Sequence, residues 1–97
     1  MSVESTQIKS SLRGLPLLIY IRAWKLSSTP LVQSHVFFQG VLEGPQGKRL
    51  QLRIPDSTWR QEMIYQKEHI LKRYNDLCLS MGLNRHEVPV ECHIVAF

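Results

Sequence analysis

Cysteine is scarce in this 97-residue chain, with two in all and no Cys-x-x-Cys pair. Two thiols cannot staple a small secreted scaffold or complete a four-ligand zinc site. Acid is thin too: eight Asp and Glu stand against twelve Lys and Arg, for a net charge of +4 with His neutral. That balance is basic but modest, and it does not require nucleic acid. No apolar run approaches the ~20 residues of a membrane span. Glycine and proline, five each, are too few for a low-complexity chain. What is present is a hydrophobic fraction of 43%, enough for one core and too high for disorder.

The chemical signatures of catalysis are missing as well. No Gly-x-Ser-x-Gly elbow occurs. Gly44-Pro45-Gln46-Gly47 has Pro where a phosphate loop needs backbone donors, and no helix follows it, so it reads as a turn. Four histidines are present without His-x-x-x-His spacing. Cys92 and His93 are adjacent, so in a strand they point to opposite faces and cannot easily share an ion. Cys78 and Cys92 read as small core residues. The expectation is a protein that is not an enzyme, with no cofactor and no metal.

Residues 1–14 are polar, rich in Ser and without apolar periodicity, and read as a flexible N-terminal tail. A single α+β domain is expected over residues 15–97. The opening residues show no signal-peptide pattern, which with unpaired cysteines points to the cytoplasm or nucleus.

Within the domain, residues 17–24 (LLIYIRAW) form a nearly continuous apolar run of strand length, rich in Ile and aromatics. Leu31 to Glu43 shows period-2 patterning, with Val32, Val36, Phe38 and Leu42 on one face and Gly40 marking a bulge. Gly44 to Gly47 predicts a type I turn with a left-handed Gly47, closing a hairpin. Lys48 to Ile54 alternates, with Leu50, Leu52 and Ile54 opposite Arg49, Gln51 and Arg53. Pro55 stops that strand; Asp56, Ser57 and Thr58 are all good N-caps, and Thr58 with Gln61 fits a capping box. A helical stripe of Met63, Ile64, Ile70, Leu71, Tyr74, Leu77, Cys78 and Met81 follows, ending at Gly82. Such a helix would be roughly 36 Å long, so an overhang or a kink is expected. Val88 to Phe97 is rich in β-formers.

The predicted order is β-β-β-α-β: a two-layer sandwich with a four-stranded mixed sheet in the order 4-1-2-3 and one long helix on one face. The last strand is expected beside the first, because the first is apolar on both sides and the third alternates as an edge strand would.

The face without a helix is then predicted to carry Tyr20, Arg22 and Trp24; His35, Phe37 and Gln39; Arg49, Gln51 and Arg53; and Glu91, His93, Val95 and Phe97. Four of the eight aromatics would lie there beside three arginines. Tyr, Trp, Phe and Arg are enriched at protein interfaces, which points to a self-associating protein-binding or adaptor protein that forms a homodimer. The alternative is single-stranded RNA, with bases stacked on aromatics and phosphates on arginines. The third reading is ordinary solvated surface. No RNP-type run such as Lys-Gly-Phe-Gly-Phe supports an RNA-recognition domain. Tyr65, Lys72 and Leu79 recur at seven-residue steps opposite the core stripe, as a thin second helix contact. Lys67 falls inside the apolar arc; either its methylenes pack while the ammonium escapes, or it finds an ion partner across an interface.

Overall fold

The computed structural model describes residues 16–97, so the tail expected over 1–14 lies outside the described residues. The elements in chain order are helix α1 (16–27), the short α2 (Pro30–Gln33), strands β1 (Phe37–Gly44) and β2 (Gly47–Arg53), and helices α3 (Ser57–Tyr65) and α4 (Lys67–Ser80). A 3₁₀ turn (Arg85–Glu87) and strand β3 (Glu91–Val95) complete the fold. The architecture is α+β around a mixed three-stranded sheet.

The largest correction concerns 17–24, which is helix and not strand. Ile19, Tyr20, Ala23 and Trp24 are buried, an i, i+1, i+4, i+5 spacing that forms one arc of a helix. Leu17, Leu18 and Ile21 are exposed on the other side. A run that is apolar all round has no period to read, so strand and helix look alike in it. Two tyrosine hydroxyls tie the helix to the rest of the fold. The Tyr74 hydroxyl donates to the Tyr20 carbonyl at 2.7 Å. The Tyr20 hydroxyl donates to the Glu87 carbonyl. Past α1, Thr29 accepts from the Val32 N–H at 3.2 Å and Pro30 opens α2. Leu31 to Gln33 is therefore helical, and the strand expected from Leu31 starts at Phe37.

The hairpin forms as expected. Gly44 pairs with Gly47 across Pro45-Gln46, and Gly47 has φ +137°. The register shifts between Phe38 and Gly40, and Gly40 also has φ +137°. This bulge inverts the pattern beyond it. Val41 comes opposite Leu50 and packs on the core, while Leu42 turns outward, 44% exposed. The inward Leu42 of unbroken alternation is thereby corrected.

β3 runs parallel to β2, with Leu50 beside Cys92 and Leu52 beside Ile94. The sheet order is β1-β2-β3. The expected four strands in the order 4-1-2-3 are not found, because α1 takes no place in the sheet. β2 is consequently the central strand. Its alternation reflects a half-exposed face and not an edge.

The predicted single helix is two. Of the three candidate caps, Asp56 starts α3, its carboxylate accepting from the Trp59 N–H at 2.9 Å, and the Thr58–Gln61 box is not used. The break falls at Gln66, whose N–H is shared between the Glu62 and Met63 carbonyls. It leaves Met63 buried but Ile64 54% exposed, outside the stripe assigned to it. α4 closes in a Schellman motif: Leu83 N–H bonds Cys78 O at 3.1 Å and Gly82 N–H bonds Leu79 O at 3.1 Å. Gly82 has φ +106°. The core, with Leu50, Leu52, Ile54, Tyr74, Cys78 and Cys92 at its centre, lies on one side of the sheet.

Candidate protein interface on the open sheet

Strand alternation places one set of side chains on the face away from this core. Phe37 stands opposite Arg53, and the Arg53 guanidinium lies 4.5 Å above the Phe37 ring. Gln51 donates to Gln39 at 2.9 Å. Arg49 Nε is 2.9 Å from Glu91 Oε1, an ion pair whose N–H is not aligned for a hydrogen bond. His93 sits beside Gln51 and Val95 beside Arg53. Every one of these residues keeps some exposure.

Several residues assigned to this face are elsewhere. Tyr20 and Trp24 belong to the core side of α1, because the segment is helical. Trp24 stacks on Phe38 with centroids 6.4 Å apart. Arg22 is exposed on the outer side of α1 and joins no strand. His35 precedes β1 and stacks on Trp59 of α3, centroids 4.4 Å apart. Phe97 follows β3 and is 98% exposed. Phe37, Arg49, Arg53 and His93 are the predicted residues that the sheet does gather. Tyr65 and Leu79 are exposed, as is Lys72, but the break at Gln66 puts Tyr65 on α3 and the others on α4, so they share no single helical seam.

A second feature was not visible in the sequence. β3 pairs only with β2, so its other edge is open among the described residues. A groove of about 640 Å³ runs between that edge and α4. It is lined by Lys67, Leu71, Lys72 and Asn75 from α4 and by Val90 and Cys92. Half-buried Lys67 therefore lines a surface groove. Asn75 donates to the Pro89 carbonyl at 2.8 Å, while its Oδ1 is buried without a partner. Glu68, Asp76 and Glu91 also border the groove, so it carries both signs of charge. An Asn one position from the core Tyr74 was the available signal, and it became meaningful only once β3 was placed.

Among the described residues no three His, Cys, Asp or Glu side chains come together as a metal site. Both cysteines are buried and unpaired. Burial pushes each thiol up to about 11, opposed for Cys78 by a hydrogen bond with Tyr74 and for Cys92 by the charge of Lys67. Both are protonated at neutral pH, the opposite of an activated nucleophile. Burial likewise raises Tyr74 and Tyr20 above the usual phenol range. No family model, no curated protein and no solved structure matches this chain.

Proposed function

We propose that this chain is a non-enzymatic protein-binding module that self-associates through its open sheet. The observation that carries the reading is the free edge of β3. An edge strand presents unpaired N–H and C=O groups, a template for another strand. The other edge, β1, is interrupted by the bulge at Gly40, whereas β3 pairs in unbroken register from Glu91 to Val95. Bulges are a common protection against pairing. Closed two-fold pairs are the commonest solution for one kind of chain. An antiparallel pair of β3 strands would set His93 against its own copy and bring the two α4 grooves together. Mixed charge in the groove, with Lys67 and Lys72 beside Glu68 and Asp76, suits contact with a rotated copy. Phe37 and Val95 extend the same surface across the sheet. Buried, unpaired thiols suit a reducing compartment, and the reading is of a protein of the cell interior.

Single-stranded RNA on the same face has less support. Arg49 is neutralised by Glu91, Arg53 is committed to the Phe37 ring, and Tyr20 and Trp24 offer no stacking surface. Light scattering at low micromolar protein, alongside fluorescence anisotropy of a labelled single-stranded RNA across a salt series, separates the readings. Twice the chain mass without RNA binding supports self-association. Tight RNA binding that collapses with salt, and weakens when Arg49→Ala and Arg53→Ala are combined, would overturn it.

A further inference from the structure

We propose that the outer side of α1 docks on an anionic lipid surface. The inner side of this helix is filled by Ile19, Tyr20, Ala23 and Trp24. At 100° per residue, Leu17, Ile21, Lys25, Leu18, Arg22 and Leu26 sweep the opposite half of the circumference in that order. Leu17 is 58% exposed, Leu18 63% and Leu26 60%. Leu31 of α2, 64% exposed, follows, and α2 is tied to the end of α1 by Gln33, which donates to the Lys25 and Ser28 carbonyls. With Ile21, five exposed apolar side chains on one short segment are far more than scattered surface leucines explain.

Charge identifies the occupant. Arg22 and Lys25 sit between the leucines, and residues 5–42 contain no Asp or Glu at all. All eight acids of the chain are Glu4 and residues from Glu43 onward. A second copy of this helix would set like charges together, so the face does not fit itself. The groove beside β3 differs in this respect, since it holds both signs. Apolar side chains with Arg and Lys among them, and no acid on α1 or α2 themselves, match an interfacial helix lying in the plane of an anionic bilayer. The leucines enter the acyl boundary while the long basic stems carry their heads to the phosphates. α1 would lie on this surface and not cross it, since no described helix is long and apolar enough to span.

The test is co-flotation of the full chain with vesicles. Vesicles of phosphatidylcholine mixed with phosphatidylserine should carry the protein, vesicles of phosphatidylcholine alone should not, and salt should release it. Combining Arg22→Glu with Lys25→Glu should weaken binding by at least about tenfold. Combining Leu18→Ser with Ile21→Ser should abolish stable binding, because one attractive term is then left. All four positions are exposed, so circular dichroism and the mass in the absence of vesicles should match the parent. Failure to float with either vesicle at low salt would overturn the proposal and leave the face to an acidic protein partner. Equal, salt-insensitive binding to both vesicles would overturn it as well. Neither result bears on pairing through β3, which is measured without lipid.

Discussion

Gly47 carries two constraints that can be separated by substitution. Its φ of +137° lies where L side chains rarely go, and a Cβ built there meets Val90 Cγ2 at 3.1 Å. Backbone strain of this kind costs about 1–3 kcal/mol. Gly47→Ala should therefore destabilise by about that amount, plus a small term for the contact, because Val90 is 54% exposed and can yield. Gly47→Val adds branched methyls against Val90 and should cost at least about 3 kcal/mol. For a domain of this size that lowers Tm by about 12–24 °C. Val90→Ala combined with Gly47→Ala should return the contact term and leave the strain, giving a coupling energy of about 0.5 kcal/mol or more. The assay is thermal and urea unfolding of the four proteins of the cycle, with Gln46→Ser in the turn as a neutral control. The coupling reaches beyond the turn. Val90 stands beside Gly47 because β3 runs parallel to β2, with the Val90 N–H on the Lys48 carbonyl at 2.8 Å. Strict additivity of the two changes would refute that placement of the last strand. Full stability of Gly47→Val would refute the turn.

Three further outcomes follow from buried groups and caps. Tyr74→Phe should cost about 1 kcal/mol, since it removes the bond to the Tyr20 carbonyl while keeping the ring; chemical denaturation checks it. Asp56→Ala should cost about 1 kcal/mol by freeing the Trp59 N–H at the start of α3, read the same way. Alkali should unfold the protein. Cys78 and Cys92 hold their protons up to about 11 when folded and release them near the ordinary 9.0 when unfolded. Their contribution is fully present below about pH 9 and is lost as pH rises toward 11, with the raised phenols of Tyr20 and Tyr74 acting in the same sense. A Tm that stays constant from pH 7 to about 11 would contradict this burial.

The parts of the fold that the sequence made legible are those set by local chemistry. Pro45 and Gly47 define the turn, Leu50, Leu52 and Ile54 define the inner face of β2, and Gly82 ends α4. Gly40 was readable as a bulge, but its consequence, the exchange of Val41 and Leu42, depends on the pairing partner. The misread element was 17–24. Apolar residues on both sides of α1 serve two ends, a core side and an exposed side, and such a run carries no period. That one error moved Tyr20 and Trp24 from the core onto the sheet face and gave the sheet a strand too many. It also placed β3 beside the wrong neighbour. With β3 displaced, the groove against α4 was hidden, since no pattern within either segment records that the two are adjacent.

The most direct test of self-association is the solution mass of the parent chain and of His93→Lys, by light scattering over a dilution series. His93 is on the half-exposed outer face, so Lys there should leave the fold intact, as circular dichroism would verify. In an antiparallel β3 pair the two introduced ammonium groups would stand directly opposite, where like charges destabilise pairing. The parent should show twice the chain mass at low micromolar concentration, and His93→Lys should dissociate at markedly higher concentration. A parent that keeps a single chain mass at every concentration, or a pair indifferent to the His93→Lys change, would contradict pairing through β3.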